Sequence, residues 1–157
     1  MIVRKAKKED VNAIISLINE LAKYENMSDQ VDIDEAVFTS HLFEKQLANA
    51  LVTVSDDDKI VGYAIYFYSF STFLGRAGIY LEDLYIKPEF RGKKVGLAMI
   101  KELAEICEQE GYGRLEWECL DWNEPSIKFY ENLGAKKQSG WIKFRITKED
   151  MIKLTVK

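Results

Sequence analysis

The chain has 157 residues, 47% of them hydrophobic and 31% charged, the size and composition of one ordinary soluble domain with its own core. Its formal charge of -4, from 22 Lys and Arg against 26 Asp and Glu, argues against a nucleic-acid partner, which requires a basic face. No apolar run reaches the roughly 20 residues that span a bilayer. MIVRKAKKED lacks a signal-peptide core, and Cys107 and Cys119 make neither a disulfide framework nor a metal-ligand spacing. A reducing cytoplasm is the expected setting.

IVRKA, Ile2 to Ala6, alternates like an edge strand. A helix is predicted from Glu9 to Tyr24, with Val11, Ile14, Ile15, Ile18, Leu21 and Ala22 on its apolar stripe. A second helix is predicted from Asp34 to Lys45. A hairpin follows: ALVTVS, the turn DDDK, and IVGYAIYFYSF, whose aromatic alternation suits sheet packing and, on its exposed half, a dimer interface. The loop STFLGRAG leads to the strand IYLEDLYI, Ile79 to Ile86. Lys94 to Glu110 reads as a long helix burying Val95, Met99, Leu103 and Ile106. RLEWECL, Arg114 to Leu120, is the next strand. A short helix then opens at the cap Asn123, with Pro125 and Tyr130 assigned to its first turn, and stops at a left-handed Gly134. WIKFRI is the expected terminal strand. The order β-α-α-β-β-β-α-β-α-β predicts a mixed, mostly antiparallel α/β sandwich, its last two strand-helix units roughly parallel. With no repeat or linker, residues 1–157 are expected to form one domain.

Two loop-to-helix junctions carry the candidate chemistry. Arg91-Gly92-Lys93-Lys94-Val95-Gly96 opens the long helix, where backbone N–H groups converge at a positive helix end suited to phosphate. Gly92 and Gly96 permit close approach, and Arg91, Lys93 and Lys94 add charge. A basic turn that merely starts a helix has the same letters. At the second junction Tyr130 offers either a phenol aimed into a cleft or, with Ile127 and Leu133 three residues to either side, a core ring. Glu82 and Asp83 are adjacent on a strand and expected on opposite faces. Carboxylates amid apolar strand residues are costly to bury. Either an acceptor site or ion pairs with Arg76 or Arg114 would account for them. Glu82 is the candidate general base.

LAKYE (Leu21 to Glu25), YLED (Tyr80 to Asp83), RG-x-x-x-G, DWNEPSIKFY and Gly140-Trp141 together resemble the GNAT acetyltransferase superfamily. The likeness is to its diamine (spermidine/spermine) and thialysine N-acetyltransferase branch. This resemblance implies transfer of an acetyl group from acetyl-CoA, without a metal, to a small primary amine: a polyamine, a diamine or a thialysine- or lysine-like acceptor. It implies that the pyrophosphate meets Arg91, Gly92, Lys93, Lys94, Val95, Gly96 and Leu97. The pantetheine arm would run along Leu84, Tyr85 and Ile86, with the Leu84 N–H near the thioester carbonyl. Asn123, Glu124, Pro125 and Ser126 would border its distal part, and Tyr130 would be the general acid. Tyr24, Glu25, Glu82, Asp83, Glu116, Trp117 and Glu118 would contribute an acidic channel walled by Trp141. A homodimer is also implied. Lys94 stands where the family pattern has Gly. Ser71, Thr72 and Phe73 stand where the spermidine enzymes carry an Asp and a Trp, and Gln138 and Ser139 replace an acidic pair. These departures rank thialysine-like acceptors with diamines. A catalytically silent acyl-CoA-binding sensor and a protein or peptide N-acetyltransferase are the competing readings. Retention of Tyr130 with Glu82 favours the amine enzyme.

Overall fold

Five strands rich in Val, Ile and Tyr form one sheet in sequence order: β1 (Ile2–Lys5), β2 (Asn49–Val54), β3 (Ile60–Ser71), β4 (Arg76–Ile86) and β5 (Leu115–Trp117). The first four pair antiparallel, and β5 runs parallel to β4. This is the mixed, mostly antiparallel α/β sheet expected from the sequence. The computed structural model describes residues 1–156 and divides into two compact units, Met1–Leu120 and Asp121–Lys157. No described helix is long and apolar enough to cross a membrane.

In the first unit, α1 (Val11–Tyr24) lays Ile14 and Leu17 against Ala50, Val52, Tyr63, Ile65 and Tyr85. Leu17, outside the expected stripe, is 2% exposed because the buried face turns toward it. Asn26 ends α1 in the left-handed region at φ 57, with Met27 N–H donating to Ala22 O at 2.8 Å. That stop fixes Tyr24 and Glu25 at the helix end. The expected second helix is α2 (Glu35–Thr39), capped by the Asp34 carboxylate and continuing as a wider π turn through Ser40–Glu44.

Leu51 and Thr53 alternate to the other sheet face, where α3 (Val95–Glu110) buries Val95, Met99, Ile100, Leu103 and Cys107. Its stripe runs to Cys107 rather than the predicted Ile106. The strand expected from Arg114 to Leu120 pairs only over Leu115–Trp117. Gly78 is needed where β4 meets it, since a Cβ there would lie 2.6 Å from Arg114 O.

The second unit begins with α4 (Glu124–Asn132). Asn123 Oδ1 accepts from Ser126 N–H at 3.3 Å. Gly134, at φ 91, closes the helix: its N–H reaches Glu131 O at 2.9 Å and Ala135 N–H reaches Tyr130 O at 3.2 Å. Tyr130 is the seventh helical residue, so it stands past the first turn, contrary to the sequence expectation. The terminal strand predicted at WIKFRI is not formed: residues 141–147 lie outside any helix or strand. This unit contains no second described strand, and a strand needs a hydrogen-bonded neighbour. The chain instead enters α5 (Lys148–Thr155), where Thr147 Oγ1 accepts from Asp150 N–H at 3.4 Å.

Candidate active site

The β3–β4 ladder breaks at one place. Ile65 faces Asp83 and Tyr66 faces Leu81, leaving Glu82 as an extra residue with no partner of its own. The expectation that Glu82 and Asp83 take opposite faces assumed an unbroken pleat, and the bulge removes that premise. Tyr80 lies opposite Phe67 and Asp83 opposite Ile65, so these two residues, three apart, share the face covered by α1.

On that face Tyr63, 0% exposed, donates from its hydroxyl to Asp83 Oδ2 at 3.0 Å. Burial, then the charge of Asp83, pushes the phenol far above its ordinary range. Burial also raises Asp83, reinforced by Glu82 and opposed by the Tyr63 hydrogen bond. Glu25, at the end of α1, is raised first by burial and then by Asp83. Neither carboxyl forms an ion pair with Lys or Arg among the described residues. The pair therefore favours a proton or a cation.

Toward β5, Tyr80 stacks on Phe67 at 5.1 Å and donates to Glu118 Oε1 at 2.7 Å. Burial, then this hydrogen bond, pushes its phenol up, with Glu82 and Glu116 adding to the effect. Glu116, opposite Tyr80, pairs with Arg114 at 2.6 Å, so Arg114 is committed there rather than to Glu82 or Asp83. Five carboxylates thus gather around this part of β4: Glu25, Glu82, Asp83, Glu116 and Glu118. Trp117 lies opposite Leu81 and alternates to the other face. Sequence reasoning missed Tyr63, which reads as one more core aromatic. Its only signal is that a buried hydroxyl must find a partner.

Beside the acidic group, β4 has an open edge. β5 covers it from Ile79 to Leu81 only, while Leu84, Tyr85 and Ile86 pair with Ala64, Tyr63 and Gly62 of β3. After the turn Pro88–Phe90 comes Arg91 to Lys94, then the buried Val95 that anchors α3, with Gly96 and Leu97 in its first turn. Gly92 has φ 75 and Lys94 φ 62, two left-handed residues in succession with one between them. Lys94 therefore adopts the conformation for which glycine is suited. Lys93 Nζ lies 5.2 Å from the Phe90 ring. Arg91 Nε donates to Ile86 O at 2.8 Å, and its guanidinium lies 5.5 and 5.4 Å from the rings of Tyr24 and Tyr85.

In the second unit Asn123, Glu124, Pro125 and Ser126 form the start of α4, and Tyr130 follows on the same helix. Trp141 lies in the stretch before α5 that is neither helix nor strand, and is 82% exposed.

A bulged central strand, a fifth strand that parts from it, and a basic left-handed loop opening the next helix are the framework of an N-acetyltransferase. Residues 14–135 match the Acetyltransferase (GNAT) family, and the chain belongs to that family. It is similar to thialysine N-epsilon-acetyltransferase of Bos taurus, with 38% identity over 100% of this chain and 98% of the relative. Human spermidine/spermine N(1)-acetyltransferase-like protein 1 is 30% identical over 96% of this chain and 23% of that longer protein. Among solved structures, an integron cassette protein from the mobile metagenome of V. cholerae aligns with a TM-score of 0.79 and 25% identity, covering 98% of this chain and 96% of that one.

Proposed function

We propose that the chain, acting as one GNAT domain over residues 1–157, transfers the acetyl group of acetyl-CoA directly to a small primary amine bearing a second polar or cationic end. Thialysine or lysine-like molecules and diamines or polyamines form the acceptor class. The observation that carries this reading is the Glu25–Asp83 carboxyl pair, without a lysine or arginine partner among the described residues, beside the open edge of β4. A cationic acceptor supplies the charge that pair lacks, and the rings of Tyr24 and Tyr80 favour the same ligand. The names of the bovine and human relatives support this class.

The coenzyme's phosphates suit the α3 N-terminus with Arg91, Gly92, Lys93 and Lys94, and its pantetheine arm suits the edge of β4 that β5 leaves uncovered at Leu84, Tyr85 and Ile86. An alkyl ammonium titrates near about 10.4 and must lose a proton before it can attack. Glu82, exposed at the bulge, takes that proton directly or through water. Nitrogen then attacks the thioester carbonyl, the Leu84 N–H stabilises the oxyanion, and the C–S bond breaks. The departing thiolate receives a proton from Tyr130. We assign coenzyme binding also to Asn123, Glu124, Pro125 and Ser126, and acceptor binding also to Glu116, Glu118, Trp117 and Trp141. Exposed Tyr68, Phe70 and Phe73 on the β3–β4 hairpin support a homodimer, which we place in the cytoplasm.

The test is a panel of diamines, lysine-like amino acids and peptides, each assayed with acetyl-CoA for kcat/KM. The expected result is highest turnover on a small amine with a second cationic or polar end. Preference for peptides, or no turnover on any amine, would overturn the proposal.

A further inference from the structure

By its place in the sequence Arg91 belongs to the phosphate loop. Its side chain, however, is engaged elsewhere: Nε on the Ile86 carbonyl at 2.8 Å, and the guanidinium 5.5 and 5.4 Å from the rings of Tyr24 and Tyr85. The Tyr85 ring is held in turn, since its hydroxyl donates to Glu20 Oε2 at 3.2 Å and Lys87 Nζ binds Glu20 Oε1 at 2.8 Å. Tyr24 is the last residue of α1, next to Glu25, whose charge is coupled to Asp83. Contacts thus run from the coenzyme loop through Arg91 to Tyr24, the chain neighbour of Glu25 in the carboxyl pair assigned above to the amine.

We propose that Arg91 is a positioning residue that ties the coenzyme loop to the amine-binding end of α1, setting acceptor affinity through Tyr24. This rests on the functional reading above. A planar guanidinium can stack on two rings while its Nε bonds a carbonyl, which a lysine ammonium cannot reproduce. Arg91→Lys keeps the charge at the loop and removes the tie, so it separates the two roles.

The experiment measures amine KM at saturating acetyl-CoA for the wild type, Arg91→Lys, Tyr24→Leu and the double variant. Arg91→Lys is expected to raise amine KM about 2- to 10-fold, the scale of a cation–π contact, a larger factor than any accompanying change in kcat. In the Tyr24→Leu background the same change is expected to add almost nothing, because the route is already cut. An unchanged amine KM in Arg91→Lys overturns the proposal, and so does a full additional rise in the double variant. The same four proteins are compared by urea unfolding. Non-additive midpoints are expected, and additive ones overturn the tie whether or not any amine is acetylated. If no amine is turned over while the midpoints remain non-additive, the functional reading has failed and the tie stands.

Discussion

Lys94 holds a left-handed backbone, φ 62 and ψ 15, at the residue that caps α3. An L-residue pays about 1–2 kcal/mol for that conformation relative to a right-handed one. Glycine escapes this cost and forfeits about 0.5–1 kcal/mol through its freer unfolded chain. Lys94→Gly is therefore expected to exceed Lys94→Ala in stability by about 0.5–1 kcal/mol. Both variants lose the same charge, so the comparison isolates the backbone. Lys94→Asn adds a further control. At a cap with extended dihedrals asparagine equals or beats glycine, whereas a left-handed cap ranks glycine first. Urea unfolding should give midpoints in the order Gly, Asn, Ala, with calorimetric affinity for coenzyme A lowered similarly in all three. An alanine variant as stable as the glycine variant would refute a strained loop, and so would asparagine ranking first.

Tyr130→Phe is expected to lower kcat by about 10²–10³-fold, the scale of a lost general acid, while calorimetric coenzyme affinity changes less than about twofold. Wild-type turnover in this variant would remove the acid assignment. Asp83 is raised above its ordinary value of 3.8, so the folded state holds the proton more tightly. Its contribution to stability is present below that ordinary value and is lost as pH rises through the folded value. Asp83→Asn keeps an acceptor for Tyr63 but cannot ionise. It should be more stable than the wild type at neutral pH, lose that advantage in acid, and bind amine more weakly. A loss of stability that is constant across pH would contradict this. Gly78→Ala should cost about 1–3 kcal/mol in denaturant unfolding, because the atom met at 2.6 Å is main chain and β5 must give way. An unchanged midpoint would mean that the two strands do not approach so closely.

Features governed by neighbouring residues were legible in the sequence. Asn123 and Gly134 bound α4 as a cap and a left-handed stop should, and the order of strands and helices pointed to the mixed, mostly antiparallel sheet. The bulge at Glu82 was not legible, because alternation along one strand cannot reveal an extra residue that only the partner strand defines. For the same reason Tyr63 passed for ordinary core, and the contacts of Arg91 with Tyr24 and Tyr85 were not foreseen. The position of Tyr130 on α4 could have been counted from Asn123, since the cap sets the helical phase. Residues 141–147 illustrate the opposite failure: WIKFRI was read as a strand, yet no described strand in their unit pairs with them. Thr147 with Asp150, a capping signal for α5, was overlooked beside it.

The acetylation reaction itself can be followed directly. Purified protein is mixed with acetyl-CoA and thialysine, and free thiol is measured alongside the mass of the amine product. Thiol release matched one-for-one by N-acetylated amine is the expected result. No release above the protein-free control, with thialysine or with any diamine, would contradict the account.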